Sequence, residues 1–170
     1  MTTRSERRRT AREWLLFVTL SPLLLAALLL VLVGLPFYWL YRFLLRLVVE
    51  SLWVTRGKRV LLVYSRSPVW QEYIETTWFP RLQPRAIVLN WSDRKNWRRV
   101  SPFAALVFRH WASGANFNPM VLVFTRFPRT RRIGFYYAFR DWKHGDDRAL
   151  REAESQLFTL VEGLWKPRSA

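Results

Sequence analysis

From Trp14 to Tyr41 the chain runs for 28 residues without a charged side chain, WLLFVTLSPLLLAALLLVLVGLPFYWLY, and arginines crowd both ends of that run. About 20 apolar residues in a helix span the hydrocarbon of a bilayer, and Trp14 to Val33 meets that length alone. A stretch this long and this apolar predicts a membrane anchor. Ser21-Pro22 falls in its first half, where proline is tolerated because neighbouring groups take up the freed carbonyl. A cleaved signal peptide fits poorly. The run exceeds the roughly 7–15 apolar residues of a signal core, and no small-x-small cleavage site follows it.

Gly34-Leu35-Pro36 predicts a helix break, giving a basic tail over 1–13, a span over 14–36 and a second helix over 37–53. In the second helix Arg42, Arg46 and Glu50 fall at i, i+4 and i+8, a narrow charged stripe on an otherwise apolar surface. Arg46 at the bilayer centre would cost roughly 2.5–3.5 kcal/mol. A helix lying among headgroups avoids that cost, so Arg42, Arg46 and Trp53 are expected at the membrane surface, with Tyr38, Trp39 and Tyr41 as interfacial aromatics. The alternative is a second membrane helix, packed as a hairpin.

Arg4, Arg7, Arg8, Arg9 and Arg12 precede the span; Arg42, Arg46, Arg56, Lys58 and Arg59 follow it. Positive charge is retained on the cytoplasmic side, and a hairpin could keep both flanks there where a single span could not. The expected location is a bacterial inner membrane with the soluble part on the cytoplasmic side, whose anionic leaflet suits its charge.

Residues 56–168 suffice for one globular domain. Of the chain's 28 Lys+Arg and 12 Asp+Glu, 21 and 9 lie in 54–170, so most of the net +16 is here. Such a field favours anionic partners. With no cysteine in the chain a disulfide framework is excluded.

Val60–Tyr64, Ala86–Trp91 and Met120–Phe124 are apolar runs of strand length. Ser67-Pro68 and Ser101-Pro102 each predict a helix start, serine as cap and proline in the first turn. The first of these helices, with Trp70, Ile74 and Trp78, is expected to stop near Pro80; the second, with Phe103, Leu106, Val107, His110 and Trp111, at Gly114. Pro128 marks a hairpin loop. Ile133, Phe135, Tyr137 and Phe139 alternate with polar or small residues, which predicts an antiparallel edge strand. Leu150, Ala153, Leu157, Leu160, Val161 and Leu164 form the stripe of a last helix from Asp146, with Pro167 beyond it.

The expected fold is therefore α/β, a small three-layer β-α-β-α-β-β-α domain with its first three strands parallel. That order resembles the thioredoxin-like fold, and Pro119 before the third strand resembles that fold's proline position. A flavodoxin-like or other Rossmannoid sheet is the alternative. The resemblance would put the family's Cys-x-x-Cys at Ser65-Arg66-Ser67-Pro68, where no cysteine stands, so thiol–disulfide chemistry is excluded.

In open α/β sheets ligands bind at the carboxyl ends of parallel strands. Ser65, Arg66, Ser67 and Arg94 compose a candidate anion site there, with Ser67 at a helix N-terminus, and Thr125-Arg126 would join them if the third strand were parallel. The segment 91–99 interleaves Trp91 and Trp97 with Arg94, Lys95, Arg98 and Arg99, a mixture suited to a headgroup surface and, less so, to single-stranded nucleic acid. Catalytic candidates are few: Asp93, His144 and Asp146, the last also a natural helix cap. His110 lies on an apolar helix face and reads as a packed histidine. No metal-ligand spacing and no glycine-rich nucleotide fingerprint is present, and no cofactor is expected. The expected function is a non-enzymatic module that docks on anionic membrane lipid or a protein partner. The alternative is a membrane-associated enzyme acting on a phosphorylated or lipid-linked substrate at the sheet edge.

Overall fold

A computed structural model describes the backbone of residues 4–112, 114 and 117–165, with side chains from residue 21 onward within those ranges. The side chains of the N-terminal arginines and of Trp14, as well as Pro167 and the domain's end at 168, lie outside the described residues. The chain forms two units, Met1–Leu44 and Leu45–Ala170.

Helix α1 runs from Arg4 to Leu52, 49 residues, with Pro22 and Pro36 inside it. The break expected at Gly34–Pro36 is thus corrected, and with it the separate helix over 37–53. Gly34 does not take the left-handed conformation that a helix stop uses, unlike Gly57, Gly114 and Gly145. A proline inside a helix removes one backbone bond, and the helix continues through that loss. Residues 21–44 are exposed except for half-buried Arg42, whose guanidinium lies 5.6 Å from the Trp39 ring centroid. Among the described residues this is the one helix long and apolar enough to cross a membrane; its most apolar window has mean hydropathy 2.5 and is 0% buried.

The last turns of α1 belong to the second unit. Leu45, Arg46 and Val49 are buried there, one helical face at i, i+1 and i+4. After a short 3-10 turn, Val54–Arg56, the sheet begins. Strand β1 (Val60–Tyr64) is buried at all five positions, as a central strand covered on both faces must be. It pairs in parallel with β2 (Ala86–Asn90) and antiparallel with β3 (Met120–Phe124), which pairs antiparallel with β4 (Thr130–Gly134). The order is β2-β1-β3-β4.

The expectation of three parallel strands is corrected: β3 runs against β1, with Val60 opposite Val123 and Val63 opposite Met120. The handedness rule constrains a crossover only once its strands are parallel, and the apolar run 120–124 reads the same in either direction. A second correction concerns 135–140. The strand stops at Gly134 and α6 (Tyr136–Lys143) follows. Phe135 and Phe139 are both 0% exposed while Tyr137 is 54% exposed, the four-residue spacing of a helix rather than the two-residue spacing of a strand.

The helical connection after β1 is irregular. Alpha-helical α2 (Gln71–Tyr73) passes into a π-helical turn, Ile74–Trp78, and then into α3 (Phe79–Leu82). Pro80 does not end it, because the wider turn, in which the Phe79 N–H donates to the Ile74 carbonyl, absorbs the ring. Helices α4 (Trp97–Val100) and α5 (Pro102–Trp111) lie between β2 and β3, and α7 (Arg148–Trp165) closes the domain. The peptide bonds preceding Pro119 and Pro128 are cis.

Two apolar layers sandwich the sheet. Ile74, Trp78, Leu82, Phe135, Phe139, Leu157 and Val161 pack on the face carrying Val60, Leu62 and Val121. Leu45, Val49, Trp97, Ala104, Val107 and Phe108 pack on the face carrying Leu61, Val63 and Leu122. The end of α1 is therefore built into the same layer as α4 and α5.

Candidate functional site

At the carboxyl ends of β1 and β2 the polar groups satisfy one another. The Arg66 N–H donates to Ser92 Oγ at 3.0 Å, and Arg66 Nη2 donates to both Asp93 oxygens at 3.0 and 2.7 Å. The two side chains are 58% and 41% exposed, so the pair contributes little to stability, about 0–1 kcal/mol. It nevertheless supplies the local positive charge with its own carboxylate. The Ser65 carbonyl accepts from the Ser67 N–H at 2.8 Å, Ser67 Oγ accepts from the Val69 N–H at 3.3 Å, and the Ser67 carbonyl accepts from the Gln71 N–H at 2.9 Å. Arg94 is exposed, its guanidinium 5.3 Å from the Trp91 ring centroid.

Ser67 lines a groove of about 310 Å³ together with Pro68, Gln71, Glu72, Glu75 and Thr76. Neither Ser65 nor Asp93 lines it, and its two carboxylates disfavour an anion. The structure does not gather the four residues of the candidate anion site in one cavity: Arg66 is matched by Asp93, and Ser67 opens on glutamates. Thr125 lies at the other end of the sheet because β3 is antiparallel. Beside this groove Tyr64 Oη donates to Glu75 Oε1 at 2.9 Å, and Gln71 Nε2 donates to the same oxygen at 3.1 Å. Burial first, then that bond, pushes the Tyr64 phenol up to about 12, so it stays protonated near neutrality and serves as a donor.

The catalytic candidates are held apart by local structure. Asp93 faces Arg66. Asp146 Oδ1 accepts from the Arg148 N–H at 3.0 Å and caps α7. His144 is exposed at the end of α6, its N–H on the Asp141 carbonyl at 2.9 Å. Nearby Asp141 pairs with Arg140 and Asp147 with Arg151. Among the described residues no three His, Asp or Glu side chains are grouped to hold a metal ion.

The tryptophan–arginine segment separates into two sets. Trp97 is 7% exposed and its Nε1 donates to the Asn90 carbonyl at 2.9 Å. Trp91 is half-buried, its ring 4.6 Å from Phe117 and 5.5 Å from Trp97. Trp53 is likewise half-buried, 5.0 Å from Phe103 and 5.8 Å from Phe124. Arg46 is 1% exposed. These four were expected at a membrane surface and are instead part of the domain's own packing: an indole gains more from a close aromatic layer than from water, and Arg46 finds acceptors inside. Lys95, Arg98 and Arg99 remain exposed.

What is left on the surface is a corner. Val100 ends α4 at 78% exposure and Leu106 on α5 is 37% exposed, with Arg98 and Arg99 beside Val100. The Trp53–Phe103 contact joins this corner to the residue that follows α1. A second corner is the β3–β4 hairpin, where Phe127 is 38% exposed between Arg126 and Arg129. The Arg46 guanidinium, 5.5 Å from the Phe127 ring centroid, joins it to α1. From Arg94 to Arg140 the sequence holds 10 Lys+Arg and not one Asp or Glu. The composition alone carried that signal, and sequence reasoning missed it by weighing motifs one at a time. From residue 45 onward the acidic residues sit in helices of the opposite layer and their connections, apart from Asp93 and Glu50, which face Arg66 and Arg46.

No family model, no curated protein and no solved structure matches the chain.

Proposed function

We propose that α1 is a single membrane span retained in the mature chain, and that the domain is a non-enzymatic interaction module whose basic layer docks on anionic headgroups. The observation that carries this reading is Val100, an aliphatic side chain 78% exposed directly after the exposed Arg98 and Arg99, in the same layer as the last turns of α1. An exposed apolar tip preceded by two exposed arginines is matched to the headgroup region, where the tip enters the acyl boundary and the cations meet phosphate. The uncharged run is about 42 Å long at 1.5 Å per residue, enough to cross about 30 Å of hydrocarbon and leave Tyr38, Trp39 and Tyr41 at an interface. The domain's own positive charge favours the cytoplasmic leaflet. A thioredoxin-like arrangement of the sheet belongs to the same reading; the order β2-β1-β3-β4 and Pro119 immediately before β3 support it.

Catalysis at the sheet edge is the weaker reading, because Ser67 and Asp93 do not share a cavity. The test uses the full chain in vesicles with a photocrosslinking residue at position 100. Crosslinks to lipid are expected with anionic vesicles and are expected to fade with neutral ones. Equal crosslinking in both removes the electrostatic docking.

A further inference from the structure

A second surface lies on the other face of the sheet. Strand β4 is an edge strand, paired with β3 alone. The Phe135 N–H donates to the Pro119 carbonyl at 2.8 Å, which fixes the alternation of the antiparallel ladder. Phe135, Ile133 and Arg131 direct their backbone groups to β3, and Gly134 directs its N–H and carbonyl to the outer edge. Along that edge runs a groove of about 530 Å³, lined by Arg131, Arg132, Ile133, Ser155, Gln156, Thr159 and Leu160. Ile133 and Leu160 pack against the core and form an apolar floor. The rim is two arginines on one side and neutral hydrogen-bonding side chains of α7 on the other.

We propose that this edge takes an extended acidic segment of a partner protein as an added strand. Alternation puts Arg131 on the face of Ile133 and Arg132 on the other, so an incoming strand pairs its backbone with the outer edge of β4, sets an apolar side chain on Ile133 and Leu160, and presents two successive carboxylates, one to Arg132 and the next to Arg131. A second copy of this chain is the wrong occupant. Two β4 edges brought together antiparallel would place arginines of both copies side by side, and like charges across strands oppose pairing. The surface is separate from the lipid-facing corners and does not rest on that reading.

The experiment uses the full chain in nanodiscs of neutral lipid, so that lipid docking plays no part. The probe is a dye-labelled peptide of three Glu-Glu-Val repeats, followed by anisotropy. Saturable binding is expected, weakening with salt. Arg131→Glu is expected to weaken it about tenfold, the loss of one favourable charge pair and the gain of a repulsive one. Gly134→Pro removes an outward N–H without touching the β3 ladder and is expected to weaken binding by a similar factor while the circular dichroism of the chain is retained. Absence of binding, equal binding by a Lys-Lys-Val peptide, or indifference to both substitutions overturns the proposal. So does dimerisation of the chain through β4. Loss of crosslinking to anionic vesicles on Arg131→Glu, with no peptide binding, would make the edge a lipid contact instead.

Discussion

Arg46 donates through Nη2 to the backbone carbonyl of Thr125 at 2.9 Å, across 79 residues of sequence. Its Nη1 meets Glu50 Oε2 at 2.5 Å, and the guanidinium stands 5.5 Å from the Phe124 ring centroid. The arginine thus joins the last turns of α1 to the end of β3. Glu50, 33% exposed, keeps part of its hydration, whereas the Thr125 carbonyl loses its donor when the arginine is removed. Arg46→Ala is expected to destabilise the domain by about 2–4 kcal/mol. Arg46→Lys is expected to lose a large share of that, because one ammonium cannot reproduce the planar fork. Denaturant unfolding in a single detergent checks both, and a change under about 0.5 kcal/mol, the range of an ordinary surface substitution, would deny the joint any structural weight.

Tyr64 and Tyr73 make the domain sensitive to alkali. Burial and a glutamate acceptor, Glu75 for Tyr64 and Glu154 for Tyr73, push each phenol from 10.0 to about 12. The folded state therefore holds these protons more tightly than the unfolded chain. Their stabilising contribution is complete below pH 10.0 and is lost as pH rises towards about 12. Phenolate absorbance should show two tyrosines titrating late, and Glu75→Gln should bring Tyr64 down part of the way, burial keeping it raised. A Tyr64 that titrates with the exposed tyrosines contradicts the buried bond.

Adjacent residues in α4 differ in burial, Trp97 being in the core and Arg98 and Arg99 exposed, and the proposed docking gives them different duties. Trp97→Ala is expected to cost about 3–5 kcal/mol of stability, the range for an aromatic deleted from a core. Arg98→Glu with Arg99→Glu is expected to leave the unfolding midpoint nearly unchanged and to suppress crosslinking to anionic lipid. Thermal unfolding alongside lipid crosslinking separates the two; a large stability loss in the double arginine variant would show those side chains to be structural.

These neighbours also mark where sequence reading reaches its limit. The apolar runs of β1 and β3 were legible because a central strand has no wet face. The direction of β3 was not, since it depends on which neighbour the strand meets rather than on its own residues. Phe135 and Phe139 satisfy two-residue and four-residue spacing at once, and only the exposure of Tyr137 decides for the helix. Arg46 and Trp97 belong to amphipathic patterns that fit an interface, and backbone carbonyls, that of Thr125 79 residues away and that of Asn90 7 residues away, take them inside. Gly34-Leu35-Pro36 carries the letters of a helix stop without the left-handed glycine that makes one. The candidate anion site shows a similar limit: spacing brought Arg66 and Ser67 to the sheet edge but could not reveal that Asp93 would pair with the arginine.

With α1 unbroken, the proposed single span would put the two ends of the chain on opposite sides of the membrane. A compartment-sensitive reporter fused after Ala170 is expected to read cytoplasmic, and one placed before Met1 is expected to read the opposite side. An exported C-terminus contradicts the assignment of the domain to the cytoplasmic leaflet.

The central claim is that the α4–α5 corner rests in an anionic membrane surface. The chain has no cysteine, so Val100→Cys provides one site for a polarity-sensitive dye on the full chain in nanodiscs. In anionic lipid the emission should shift to the blue and be quenched by a lipid-borne quencher; in neutral lipid, or at high salt, both effects should diminish. A dye at position 100 that reports water equally in anionic and neutral nanodiscs contradicts the account.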